Sequence, residues 1–232
     1  MKENTVISVK NLKKSFDGRR VVDDLSFDVT EGEVFGLLGH NGAGKSTTID
    51  LILGLKEPDS GQAEIFGKRA SKNRKETFEK VGVQLQQTQY QSSITVEEAC
   101  IEYGSLYENP SDYNTLLQKF GLSDYKKSLV SKLSGGERQK LSVVLALIGN
   151  PEVVFLDELT TGLDVVARRE VWKTLKELKN KGLTIILTVA GIVFFGYRME
   201  GNFILYIGGW ILTMLSMFSI GLMVATYKRE LY

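Results

Sequence analysis

A chain of 232 residues, 43% hydrophobic and 25% charged, suits one α/β domain, or one domain with an appendage. Its net charge of +1 leaves no electrostatic footprint for nucleic acid. The lone Cys100 excludes an internal disulfide and lacks zinc-ligand company, which points to a reducing cytoplasm and a small buried side chain.

At the N-terminus Lys2, Glu3, Lys10, Lys13 and Lys14 interrupt any apolar stretch, so no signal peptide is expected. Thr5 to Val9 reads as a strand. Leu25, Phe27 and Val29 alternate with Ser26 and Asp28 as a half-buried strand does. Val34 to Leu38 is a short apolar run of buried-strand type, followed by Gly39-His40-Asn41-Gly42-Ala43-Gly44-Lys45-Ser46-Thr47 and a helix expected over 46–55. Further strands are expected at 81–85, 153–156 and 184–189, apolar enough for a sheet covered on both faces. Helices are expected at 95–107, 113–120, 134–148 and 165–181. The last places Val171, Leu175 and Leu178 on one face, with Asp164 as its N-cap. This order predicts a parallel sheet flanked by helices, with a mostly helical insert over about 88–150.

Three clusters carry chemistry. The glycines between 39 and 44 let consecutive backbone N–H groups converge on an anion. Lys45 can reach outer phosphates, the Ser46 hydroxyl can ligate Mg²⁺, and the following helix turns its positive end toward the phosphates. Leu133-Ser134-Gly135-Gly136-Glu137 has the S-x-x-E spacing of a capping box, and its paired glycines expose N–H groups at a helix start. Val153-Val154-Phe155-Leu156-Asp157-Glu158 is a hydrophobic strand ending in two carboxylates, the first able to hold Mg²⁺ and the second to polarise water.

Together these residues resemble the ATP-binding subunit of an ABC transporter over roughly residues 3 to 189. The resemblance implies a P-loop NTPase fold with a parallel-sheet core, an antiparallel β edge and a helical insert subdomain, using ATP and Mg²⁺. Phe16 matches the aromatic that stacks on adenine, although a core phenylalanine is the alternative. Gly39 to Thr47 matches Walker A. Gln86 matches the glutamine of the Q-loop, which senses Mg²⁺ and the membrane partner; Gln84 and Gln87 stand close enough to compete for that role. Ser134, Gly135, Gly136 and Glu137 resemble the signature motif, with Glu where Gln is commoner. Asp157 and Glu158 fall on Walker B and its catalytic glutamate, and Gly162-Leu163-Asp164 on the D-loop. The implied assembly is a head-to-tail dimer, in which the signature of one ATPase subunit closes the Walker A site of the other, docked on permease subunits with the ATPase on the cytoplasmic side of the cell membrane.

The chain departs from the family twice within this region. Leu159 stands where proline usually follows the catalytic glutamate. The histidine that contacts the γ-phosphate is missing from its expected place near Ala190, and His40, within Walker A, is the only histidine. Beyond Val189 the family pattern stops, and residues 190–232 resemble part of a permease. The 23 residues from Phe203 to Ala225 carry no charge; as a helix they would span about 34 Å, enough for a hydrocarbon core of roughly 30 Å. A transmembrane segment at 203–225 is therefore expected, joined to a C-terminally truncated ATPase domain. Residues 183–197 also lack charge and could form a sheet strand or a membrane leg; the strand is favoured for 183–189. The resemblance implies ATP hydrolysis coupled to transmembrane export, with turnover slowed by the missing histidine; rival functions are a nucleotide-binding regulator, a non-functional fusion, and a soluble ABC ATPase outside transport.

Overall fold

The computed structural model describes residues 4–40, 42–84, 93–157, 159 and 163–190. All belong to the first of two units, Met1–Val193 and Phe194–Tyr232. Asn41, Gln86, Glu158, Gly162 and the span expected at 203–225 therefore lie outside the described residues. Among the described residues, no helix is long and apolar enough to cross a membrane.

In chain order the elements are β1 Thr5–Phe16, β2 Arg19–Thr30, β3 Val34–Gly39, α1 Lys45–Ile52, β4 Ser60–Ile65, α2 Arg74–Lys80, β5 Val81–Gln84, α3 Val96–Gly104, α4 Tyr113–Lys119, α5 Gly135–Leu147, β6 Val153–Leu156, α6 Val165–Lys179 and β7 Thr184–Ala190. A parallel sheet has the order β3-β7-β6-β5, and an antiparallel sheet the order β2-β1-β4. Thr184 to Ala190 thus forms an interior strand paired on both sides, to β3 and to β6. The strand reading of this stretch holds over the membrane-leg alternative.

Two hydrophobic cores cover the parallel sheet, and alternate residues of its inner strands feed them. Val154, Leu156, Ile185 and Leu187 pack with α3, α4, α5 and α6. Val153, Phe155 and Ile186 pack with α1 and the antiparallel sheet. This two-sided burial is why these strands read as continuous apolar runs, without polar alternation. Cys100 lies in the helical core, where burial pushes its thiol up to about 12; it is the inert buried side chain expected.

Differences from the sequence reading have local causes. The strand at the start of the chain runs on to Phe16, and its partner begins at Arg19, because Asp17 and Gly18 both take positive φ, 48° and 76°. That is the backbone of a tight hairpin, and Asp-Gly favours it. β4 and α2 were not anticipated. β4 has only Ala63 and Ile65 to show alternation, and the sequence of α2, RKETFEK, carries a single apolar residue, too little for a period to register. Helix α3 ends at Gly104, short of 107, and α1 ends at Ile52, short of 55.

The helical layer approaches β5 without room for a side chain. A Cβ at Gly82 would lie 1.9 Å from the carbonyl oxygen of Ala146 in α5. Gly82→Ala is expected to destabilise the domain by about 2 kcal/mol or more by forcing α5 outward. Gly104→Ala, whose added methyl would meet only ordinary contacts at 3.7 and 3.9 Å, is expected to be neutral or slightly stabilising. Urea unfolding midpoints of the two variants check this.

Candidate functional site

The glycine-rich turn leaves β3 at Gly39 and enters α1 at Lys45. Gly44 has φ +84°, and a Cβ there would sit 2.5 Å from the Val21 carbonyl oxygen. Glycine is required on both counts, for its φ and for close approach to β2. Within the turn the Ala43 N–H donates to the His40 carbonyl at 3.0 Å. The Lys45 ammonium donates to the carbonyls of Gly39 (2.8 Å) and His40 (3.0 Å), which holds a positive charge across the loop. Thr48 closes the first helical turn, its N–H and hydroxyl both donating to the Gly44 carbonyl. Gly42 is exposed, and Thr47 is half-buried on the first turn of α1.

Asp157 follows the last residue of β6, and its N–H donates to the Gln84 carbonyl at 3.1 Å. The residue is only 4% exposed. A buried carboxylate needs donors, and two hydroxyls supply them. Ser46 Oγ donates to Oδ2 at 2.9 Å, and Thr188 Oγ1 donates to Oδ1. The fold therefore brings together Lys45, Ser46 and Asp157, three residues that the sequence had placed in two separate motifs. A serine hydroxyl and a carboxylate held 2.9 Å apart are hard oxygen donors of the kind Mg²⁺ takes. The hydroxyl can donate its hydrogen bond to Oδ2 and keep lone pairs for a cation.

β3 and β7 pair with Gly39 opposite Ala190. The end of β7 is thus directly beside the first glycine of the loop. Leu159, in place of proline, is buried and joins the helical core, so packing holds it in place. Its carbonyl receives Gln139 Nε2 of α5 at 3.5 Å.

Phe16 ends β1 and is 40% exposed, with the ammonium groups of Lys14 and Lys56 at 5.5 and 5.6 Å from its ring centre. It is not a core phenylalanine. The sequence marks Lys14 only as an interruption of apolar character, and Lys56 is too distant in the chain to be read as a neighbour of Phe16.

Ser134 to Glu137 form the capping box that their spacing predicted. The Ser134 N–H donates to Glu137 Oε2 at 2.7 Å, and the Glu137 N–H donates to Ser134 Oγ at 3.2 Å. The Tyr125 hydroxyl, with the Ser134 N–H, holds the Glu137 carboxyl below the usual carboxylate range. Gly135 faces open space, so the start of α5 is accessible. Tyr125 was missed, having no motif of its own.

Asp164 caps α6 as expected. Its Oδ1 accepts from the N–H groups of Val166 (2.8 Å) and Ala167 (2.9 Å). The N–H groups of Ala167 and Val166 hold its carboxyl below the usual range. A depressed carboxyl contributes stability above its unfolded value, near 3.9, that is lost as the pH falls through the folded value. Asp164→Ala is expected to lower the unfolding midpoint at neutral pH, and the gap to the unaltered protein is expected to close in acid. Thermal melts over a pH series check both.

Comparison with known proteins agrees with this geometry. The sequence pattern of the ABC transporter family matches residues 22–161. The chain is 37% identical over 187 residues to the Nod factor export ATP-binding protein I of Paraburkholderia xenovorans, covering 78% of this chain and 62% of that protein. It is 35% identical over 188 residues to the bacitracin transport ATP-binding protein of Bacillus licheniformis, covering 80% and 61%. It thus spans about three fifths of the length of these curated relatives. A solved ATP-binding subunit of an ABC transporter superposes with a TM-score of 0.73 at 31% identity, covering 80% of each chain.

Proposed function

The chain belongs to the ABC transporter family, in its ATP-binding domain, and from that premise we propose that it is the ATP-binding and ATP-hydrolysing component of an export system. The observation that carries the reading is the meeting of Lys45, Ser46 and Asp157 at one end of the parallel sheet. Open α/β sheets bind ligands there, at the carboxyl ends of their strands. The export assignment follows from the names of the relatives, one in Nod factor export and one in bacitracin transport.

In this mechanism the N–H groups between Gly39 and Thr47, with Asn41, Gly42 and Gly44 in the turn, surround the β- and γ-phosphates, and the Lys45 ammonium turns from the loop carbonyls to the phosphate oxygens. Phe16 offers its exposed ring to adenine. Ser46 and Asp157, joined by Gln86, would hold Mg²⁺, which supplies charge neutralisation on the transferring phosphoryl group. Glu158 would accept a proton from the attacking water. Ser134, Gly135, Gly136 and Glu137 would close the site of a second ATPase subunit, with Asp164 near the same boundary. Permease subunits would complete the transporter at the cell membrane. The charge-free run 203–225 would be a membrane span within a permease-like segment, residues 190–232, fused to the ATPase domain of residues 1–189.

A second reading, nucleotide binding with little or no turnover, draws on Ala190. The resemblance expects the γ-phosphate histidine near this position, and the register of Ala190 beside Gly39 supports that reading. Binding should survive that loss better than hydrolysis.

Lys45→Ala is expected to weaken ATP binding at least tenfold, the loss of about one charged hydrogen bond. Glu158→Gln should keep binding and lower hydrolysis by about 10² or more. Ala190→His should raise turnover if the missing contact limits it. ATP titration and phosphate-release assays on the four proteins check this; an absence of saturable ATP binding by the unaltered chain overturns the proposal.

A further inference from the structure

Thr188 is a polar residue in a stretch that is otherwise apolar from Ile185 to Ala190, and it is 2% exposed. Its methyl and hydroxyl fill a space that valine would fill equally well, so packing alone gives no reason for the oxygen. The hydroxyl donates to Oδ1 of Asp157, and Ser46 donates to Oδ2 of the same carboxylate. These contacts come from three elements. Thr188 pairs in register with Leu37 of β3, the strand that leads into the phosphate loop, and its neighbour Leu187 pairs with Leu156 of β6, the strand that ends in Asp157.

We propose that Thr188 is a positioning residue for the magnesium-binding carboxylate, fixing the rotation of Asp157 so that Oδ2 faces Ser46. The proposal rests on the nucleotide-binding reading above and deepens it. An aspartate does not hold its own carboxylate plane, because the terminal torsion of the side chain is broad and soft. Threonine, branched at Cβ, is stiff. A hydrogen bond from a stiff buried side chain therefore sets the angle of a soft one. With Oδ1 engaged, Oδ2 is the oxygen left for Ser46 and a cation, and the ligand pair is formed before the ion arrives. Outer partners of this kind typically alter metal affinity by about 10- to 100-fold when removed.

The test uses the full chain, a fluorescent ATP analogue and the variants Thr188→Val and Thr188→Ser. Binding is titrated once in excess EDTA and once across a range of MgCl₂. In Thr188→Val the EDTA affinity should stay within about twofold, while the MgCl₂ concentration for half-maximal effect should rise about tenfold or more. Thr188→Ser, which restores the donor on a less rigid side chain, should recover most of the loss, to within about threefold of the unaltered chain. Should the valine chain fail to fold, Thr188→Cys carries the same test, since a thiol is a weak donor, and the same rise is expected. An unchanged magnesium requirement, equal shifts with and without magnesium, or no recovery with serine overturns the role of Thr188. If the unaltered chain binds no analogue in either arm, the nucleotide-binding reading falls and takes this assignment with it.

Discussion

A carboxylate removed from water is the constraint around which this domain is arranged. Asp157 sits nearly buried at the point where β6 ends, and a charge in that position is tolerated only when its oxygens are hydrogen-bonded. The two hydroxyls that meet it come from residues 111 and 31 positions away along the chain. Satisfying the carboxylate thus requires the first turn of α1, the end of β6 and the middle of β7 to be aligned. That alignment is also what places Lys45 and the glycine-rich turn over the same edge of the sheet.

The surrounding packing holds that edge in place from both sides. β6 and β7 send alternate residues into a helical core and into a core shared with α1 and the antiparallel sheet. The loop itself is seated against the antiparallel layer, where Gly44 approaches the Val21 carbonyl too closely for any side chain. The helical layer is seated just as closely, with α5 against Gly82. Since α5 begins with the accessible Ser134 capping box, a shift of this helix would move the surface proposed to meet a second subunit.

The departures from the family pattern have different physical weights. Leu159, where proline is usual, is buried in the helical core, so packing holds that residue in place. At the end of β7 the backbone of Ala190 pairs with Gly39, which sets this position beside the glycine-rich turn. Glu137, where glutamine is commoner, keeps the capping geometry of Ser134 and adds a charge that the Tyr125 hydroxyl and the Ser134 N–H accommodate.

Features set by local chemistry were readable from the residues alone. Gly39 to Thr47 announces an anion cradle because few other patterns need such glycines before a lysine and a serine. Ser134 with Glu137, and Asp164 ahead of Val165, announce helix starts because capping acts over three residues. Val153 to Leu156 reads as a strand because both of its faces are buried. The Asp17-Gly18 hairpin carried the same kind of local signal, although it went unread, whereas β4 and α2 are too short and polar to show a period. Tertiary structure alone decided that β7 lies between β3 and β6, that Ala190 stands beside Gly39, and that Thr188 and Ser46 share one carboxylate. Parallel strands far apart in sequence carry no local mark of their register, and it is the joint burial of two cores that selects it.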